Sequence, residues 1–296
     1  MIKNQIVKVV ECPICHMGRQ YKVWTYSKWQ MYRCSQCDVE YSWPFISGDL
    51  NYYNNHASYK NIEIETQSGN IPPANLAIAD KIKKIILLLL KNNKENTKLK
   101  VLDYGCGAGW YAALIKQMGH EVIAVDFNPE MTRIARKLFN INAYVTSLAE
   151  LKKNANTFNL IICNQVLEHV ERPVELLILF EQLLDKNGKL FISVPNRNFI
   201  RAKSKLISGK LPEANYPPHH ISYWSNNSLD FAMQKAGFST VVTIIQNYPE
   251  SMQIENKLKR YFSNNLAKFI TKIVVFIGKK LNIQGVHLFA IGAKNG

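Results

Sequence analysis

LKVLDYGCGAGWYAALIKQMGHEVIAVDF, residues 99–127, decides the architecture of this chain. The apolar run LKVLDY (99–104) stops at a loop carrying Gly105, Gly107 and Gly109. A helical pattern follows from Trp110 to Met118 and closes at Gly119. EVIAVDF (121–127) then reads as a second strand. Strand, glycine loop, helix and strand make the repeating unit of a parallel sheet. The glycines let the backbone turn tightly and approach a ligand. An acid ending the second strand, Asp126, can accept from ribose hydroxyls.

The same alternation runs outward. Pro129–Phe139 reads as a helix with proline in its first turn. Ala143–Val145 is a short strand and NLIICN (159–164) a longer one. Pro173–Leu184 is a helix ended by Asn187-Gly188, and KLFISVP (189–195) a strand. Ser225 caps a helix that reaches Lys235 and stops at Gly237. Ser239–Ile245 and His287–Ala293 complete seven strands, the last two without a regular crossover. The expected fold is α/β: a doubly wound, seven-stranded, mostly parallel sheet with its ligand at the carboxyl ends of the strands. Upstream, Ala74–Lys91 is helical, and its apolar run Ile85–Leu90 reads as a buried face. The expected division is a cysteine-rich module at 1–45, a linker and helical cap at 46–97, and the α/β domain at 98–296 with an insertion at 250–283.

The chain has 296 residues, 47% of them apolar, which is enough for a sizeable core. Lys and Arg exceed Asp and Glu by 37 to 22, a net charge of +15 that points to an anionic partner. Met1–Glu11 holds no long apolar segment, and no apolar run approaches the ~20 residues that cross a bilayer. The expected compartment is therefore the reducing cytoplasm, where paired cysteines serve as metal ligands.

The detail of the glycine loop separates cofactors. A dinucleotide site presents loop and helix N-terminus to a pyrophosphate, and Asp103, two residues before the first glycine, opposes that anion. It suits a cofactor with cationic ends. S-adenosylmethionine carries an ammonium and a sulfonium and no phosphate. Here VLDYGCGAGW (101–110) and AVDFNPEM (124–131) resemble the first two motifs of the class I S-adenosylmethionine-dependent methyltransferases. FNLIICNQVLEHVERP (158–173) is similar to their fourth motif in its small-molecule, Glu-His-Val form. PHHISYWSNNSLDFAMQKAGF (218–238) resembles the segment after the fifth strand. The resemblance covers roughly residues 75–250 and the last strand, and it implies a Rossmann-like fold.

By that resemblance, Asp103, Gly105, Gly107 and Gly109 line the methionine end of the cofactor. Asp126 holds the ribose, Phe127 packs on the adenine, and Ser147 and Leu148 match the adenine-facing segment, where an Asp is common. Asn164 and Gln165 face the methyl group. Cys106 and Cys163 read as small packed residues. A base is needed if the nucleophile is a hydroxyl or amine. His169 and His220 are the catalytic candidates, with His219 beside them in a loop shaped by Pro217-Pro218. His169 reads equally as a residue that holds its loop. The related ubiquinone-pathway O-methyltransferases hold a divalent metal through Glu-x-x-Glu-His. Here Gln165 takes the first position, so magnesium is not expected.

Cys12-x2-Cys15 and Cys34-x2-Cys37 have zinc-ribbon spacing. They resemble the N-terminal segment of methyltransferases from surface-polysaccharide and secondary-metabolite pathways. The expectation is a structural zinc, since four thiolates leave no open position for catalysis.

Residues 257–280 hold Lys257, Lys259, Arg260, Lys268, Lys272, Lys279 and Lys280 and no acid. Leu258, Phe262, Leu266, Phe269, Ile273 and Phe276 recur at helical intervals. Two readings stand open: a helix lying on a membrane surface, or a cap packed on the sheet. The leading expectation is an S-adenosylmethionine-dependent methyltransferase acting, at oxygen, on a small-molecule or lipid-linked acceptor in the cytoplasm or at the inner membrane face. The basic charge and zinc ribbon keep an RNA methyltransferase as an alternative, against which Asn164-Gln165-Val166-Leu167 lacks the amino-methylating Asn-Pro-Pro pattern. A non-enzymatic adaptor built on a degenerate methyltransferase fold is the third reading.

Overall fold

In the computed structural model the described residues are 11–17, 19–56, 62, 76–91, 98–145, 148–200, 215–245, 255, 258–259, 261–280 and 287–294. The main sheet contains β4 (Lys100–Tyr104), β5 (Glu121–Val125), β6 (Asn142–Tyr144), β7 (Phe158–Asn164), β8 (Leu184–Pro195), β10 (Phe238–Ile245) and β11 (His287–Lys294). Their spatial order is β10-β11-β8-β7-β4-β5-β6. Pairs among β4–β8 are parallel, and β11 runs antiparallel to both β8 and β10. This is the seven-stranded, mostly parallel sheet expected from the sequence, with the last two strands at a mixed edge.

Alternation along each strand feeds two cores. Val101, Leu160, Ile162 and Phe191 enter one cluster, while Leu102, Ile161, Cys163, Leu190 and Ile192 enter the other. Successive strand residues point to opposite faces, so central strands that are apolar throughout must be covered on both sides. The first face takes α2 (Leu76–Lys91) and α3 (Trp110–Gln117). Within α2, Ile78, Ile82, Ile85, Ile86 and Leu89 are buried at helical spacing, whereas Leu87 and Leu88 face outward. The second face takes α6 (Pro173–Leu183) and α7 (Asn226–Lys235), with Leu177, Phe180, Leu229 and Met233 buried against it. A capping box at Ser225, paired with Ser228, starts α7 as its sequence requires.

Most boundaries lie within a residue or two of the sequence reading, and one differs by more. The strand expected from Lys189 begins pairing at Leu184, before the turn residues Asn187-Gly188, and a register shift between Phe158 and Leu160 absorbs the irregularity. A side chain on Gly188 would meet the Phe158 carbonyl at 2.8 Å, which explains a glycine there.

A second sheet has the order β1-β2-β3-β9, all antiparallel. It comprises β1 (Gln20–Tyr26), β2 (Trp29–Cys34), β3 (Glu40–Trp43) and β9 (Ser222–Tyr223). The fourth strand comes from far along the chain, so the cysteine-rich module closes its sheet with a piece of the loop that carries His219 and His220. Buried Arg197 strengthens the join: its Nη2 donates to Asp38 Oδ2 at 2.8 Å, and Ser225 Oγ donates to the same oxygen at 2.6 Å. Lys235 Nζ, at the end of α7, donates to the Ile14 carbonyl at 2.7 Å.

The polar stretch after residue 45 holds α1 (Leu50–Asn55), capped by Asp49, whose side chain accepts from the Tyr52 N–H. Pro129–Phe139 forms α4, and Leu148–Leu151 a short α5. Asn264–Lys280, inside the expected insertion, forms α8.

Candidate active site

β4 lies between β5 and β7, where the chain order reverses, so the loops after β4 and β7 diverge and leave a crevice. Gly105, Gly107 and Gly109 there have φ of +74°, +51° and +89°, the left-handed region that disfavours side chains. Their surroundings assign different tasks. A Cβ on Gly109 would meet Ala135 and Ile141 within 3 Å, so this glycine lets α3 pack close to α4. A Cβ on Gly107 would meet nothing within 4 Å, so this backbone borders open space. Gly105 N and Cys106 N donate to the Val125 carbonyl at 2.8 and 3.0 Å, tying the loop to β5. Asp126 completes the tie, Oδ2 accepting from Gly107 N and Oδ1 from Asn128 N, both at 2.9 Å.

Asp103 lies beneath this loop. It is buried, and its Oδ2 has no hydrogen-bond partner among the described residues. Burial, helped by the nearby Asp126 charge, pushes its carboxyl up to about 7. An acid held in that condition is completed by a cation. The ammonium of S-adenosylmethionine fits that demand, and a pyrophosphate does not. Burial raises the Cys106 and Cys163 thiols well above their ordinary value, so both are packing residues of low reactivity.

The crevice encloses a cavity of about 480 Å³, within the range of small-molecule sites. Gly105, Gly107, Asp126 and Phe127 line one wall, and Gln165, Val166, His169 and Glu171 the other. Phe127 is 53% exposed, a large apolar ring open to the cavity. Of the remaining sequence candidates, Asn164 lies beside the cavity lining: its Oδ1 accepts from Ser193 Oγ, which also accepts from Gln165 Nε2 at 3.0 Å. Ser147 lies outside the described residues, as does the side chain of Leu148.

Ser47, Gly48 and Tyr53 also line the cavity, and none is singled out by the sequence. They reach it because α1 is fastened across the mouth. Asn128 Nδ2 donates to Asn54 Oδ1 at 3.0 Å, Ser47 N donates to Glu171 Oε1 at 3.0 Å, and Gly48 N donates to the Pro218 carbonyl at 3.0 Å. The Tyr53 ring meets Phe127 edge-on, centroids 5.0 Å apart. Its hydroxyl lies 2.9 Å from His169 Nδ1. Only the run of tyrosines, asparagines and a histidine at 51–56 hints at this in the sequence.

His169 Nδ1 also lies 2.5 Å from the His219 carbonyl, which can only accept. Nδ1 therefore carries a hydrogen, and Nε2 is the basic nitrogen. That nitrogen stands 3.8 Å from Glu168 Oε1, and His220 Nε2 stands 3.9 Å from the same oxygen. Glu168 is buried, and neither of its oxygens has a hydrogen-bond partner among the described residues. Its carboxyl is pushed up to about 8 by burial. Burial pushes the imidazoles the other way. His169 falls to about 4, His219 to about 3 with repulsion from His169 and His56, and His220 well below its ordinary value. The three rings are neutral near pH 7, beside a carboxyl poised to titrate. His220 is buried next to Glu168 and outside the cavity lining, so the two catalytic candidates are adjacent but not equivalent. The ligating nitrogens of His169, His219 and His220 lie within 4.8 Å of one another; imidazole nitrogen suits zinc-like ions rather than magnesium.

At the far end of the second sheet the four cysteine ligand atoms lie within 4.8 Å of one another. Cys12 Sγ and Cys37 Sγ are 3.5 Å apart, and Cys15 Sγ and Cys34 Sγ 3.4 Å. A tetrahedral zinc with bonds of ~2.3 Å spaces its sulfurs by about 3.8 Å. Ile14 N and Gln36 N donate to Cys12 Sγ and Cys34 Sγ, an arrangement that stabilises thiolates. The residues fit the ion.

A family model described as a methyltransferase domain matches residues 75–243, more than half of the chain. The chain belongs to this methyltransferase-domain family. The ubiquinone biosynthesis O-methyltransferase of Xanthomonas axonopodis pv. citri (strain 306) is 34% identical over 104 residues, 33% of this chain and 44% of that protein. The chain thus spans under half the length of the curated relatives it matches. Among solved structures, a SAM dependent methyltransferase from Archaeoglobus fulgidus is similar at TM-score 0.54 and 20% identity, over 79% of this chain and 100% of that one. Phosphoethanolamine N-methyltransferase 2 of Haemonchus contortus, in complex with S-adenosyl-L-methionine, has TM-score 0.55 and 15% identity, over 87% of this chain and 62% of that one. These likenesses establish the fold.

Proposed function

We propose that this chain is an S-adenosylmethionine-dependent methyltransferase that methylates an oxygen of a small-molecule or lipid-linked acceptor, working in the cytoplasm or at the inner face of a membrane. The observation that carries the reading is the pairing, across one cavity, of a cofactor wall with a base wall. When bound, the cofactor supplies an electrophilic methyl on sulfur. Asp103 receives its ammonium, Asp126 its ribose hydroxyls, and Phe127 covers its adenine, with Ser147 and Leu148 in the adjoining segment. Asn164, through Ser193, steadies Gln165 at the methyl end.

The acceptor enters from the side of α1. Tyr53, with its oxygen against the His169 N–H, turns its own O–H toward the cavity and orients the nucleophile. His169 is neutral at working pH and accepts the nucleophile's proton. The charge gained by His169 would be balanced by Glu168 in its carboxylate form, with His220 on the other side of that carboxyl. A neutral acid–base wall beside a cavity suits a hydroxyl acceptor. The zinc held by Cys12, Cys15, Cys34 and Cys37 is structural in this reading. It keeps β1–β3 folded, and β3 in turn holds β9 and the histidine loop.

The test is turnover. The full chain, given labelled S-adenosylmethionine and a panel of phenolic, sugar and lipid-linked hydroxyl acceptors, should label one class. A His169→Ala variant should lose that labelling while still binding S-adenosylhomocysteine. Labelling of RNA instead would support the alternative reading that the net charge keeps open. Cofactor binding without turnover on any class would leave the adaptor reading.

A further inference from the structure

We propose that α8 docks this chain on an anionic lipid surface. The inference extends the proposed placement at a membrane and stands apart from the chemistry, because its test reads binding and not turnover.

An amphipathic helix that caps a sheet turns its large apolar residues inward. α8 and the two residues shortly before it do the reverse. Phe262, Leu266, Phe269, Ile273 and Phe276 follow one another at intervals of four and three, so they share one face. All five are exposed, from 42% for Ile273 to 68% for Phe276, and neighbouring Tyr261 is 81% exposed. The residues described as buried on this helix are small, Ala267 at 0% and Thr271 at 4%, with Ile270 half-buried beside them. Thr271 Oγ1 donates back to the Ala267 carbonyl at 2.8 Å, so its hydroxyl is satisfied within the helix. The apolar stripe of five residues faces solvent. The packed-cap reading requires the opposite. A contiguous exposed apolar stripe of this kind marks an interaction surface.

Charge selects the partner. Lys268 and Lys272 are exposed beside the stripe, and residues 257–280 contain seven Lys or Arg and no acid. Apolar rings flanked by cations match a bilayer interface, where the rings enter the acyl boundary and the ammonium groups meet anionic headgroups. An RNA surface would leave the aliphatic part of the stripe without a partner. No helix among the described residues is long and apolar enough to cross a membrane, and an apolar stripe flanked by cations suits a helix lying in the interface plane.

The experiment is co-sedimentation of the full chain with phosphatidylcholine vesicles, with and without phosphatidylglycerol. Two variants are compared: Phe269→Ser with Phe276→Ser, and Lys268→Gln with Lys272→Gln. All four positions are exposed, and circular dichroism confirms that each variant is folded. The expected result is pelleting on anionic vesicles only, weakened by salt and about tenfold or more by either pair of substitutions. Absence of pelleting on anionic vesicles would overturn the proposal. So would pelleting that neither pair changes, a lipid-free dimer that the phenylalanine pair dissolves, or salt-sensitive RNA binding with no vesicle binding.

Discussion

The wall proposed for the cofactor comes from one stretch, Gly105 to Phe127, whereas the wall proposed for the acceptor gathers residues from across the chain. Tyr53 and His169 meet over a separation of 116 positions, and His169 and His219 over 50. The first wall is a loop that its own strands and helix hold. The second exists only because α1, the turn after β7 and the β9 loop are brought together by the rest of the fold. Local construction leaves a readable pattern of glycines and acids at fixed offsets. Assembled construction leaves single residues whose neighbours in the chain say little about them. The two walls should therefore fail in different ways when the protein is damaged.

The largest effect is expected from the module that anchors the assembled wall. Cys34→Ser removes one of the four thiols proposed to hold zinc, and a structural zinc contributes ~10 kcal/mol or more to folding a small site. Loss of the metal should melt β1–β3 and release β9, abolishing methyl transfer while the Rossmann-like half keeps its fold. Metal content, circular dichroism and S-adenosylhomocysteine affinity, measured together, test this. If cofactor affinity collapses in step with turnover, the two walls are not separable.

A milder break is Tyr53→Phe, which removes one hydroxyl and little volume. Turnover should fall by about tenfold to a hundredfold, the scale of a misoriented nucleophile, with cofactor affinity unchanged. A rise in acceptor KM alone, with full kcat, would make Tyr53 a binding residue and nothing more.

The smallest effect is one of pH on the cofactor wall. Asp103 has its carboxyl raised to about 7, so it is anionic above that pH and neutral below it. Its attraction for an ammonium group is therefore present at pH 8 and lost as pH falls through 7. Calorimetric affinity for S-adenosylmethionine should drop by about fivefold to tenfold between pH 7.5 and 6. An Asp103→Asn variant should bind more weakly and without that slope.

The seven strands and their doubly wound, mostly parallel sheet are legible because a parallel sheet covered on both faces needs apolar runs of limited length, separated by glycine turns. The seven strands could be marked from Leu99 onward for that reason, and the antiparallel edge from the missing crossover before β11. The four cysteines were legible because their spacing is itself the constraint. Tyr53 was not, since nothing in NYYNN says which tyrosine turns inward; Asn54–Asn128 and Ser47–Glu171 decide that in three dimensions. Glu168 was read as part of a motif, but its significance lies in being buried between two imidazoles, which only packing reveals. The stripe on α8 was visible as a periodicity. Its direction was not, because periodicity fixes a face and leaves open whether that face meets the sheet or the solvent.

The most direct test of the central claim, that the glycine-loop wall is an S-adenosylmethionine site, is isothermal titration of S-adenosylhomocysteine into the full chain and into Asp126→Ala. Each hydrogen bond to a charged group contributes about 1.5–3 kcal/mol, and Asp126 orders the Gly107 loop and, in the proposed site, would meet the ribose. One site per chain is expected in the natural sequence, with affinity about a hundredfold weaker in the variant. No binding by the natural chain, or equal binding by both, would contradict the claim.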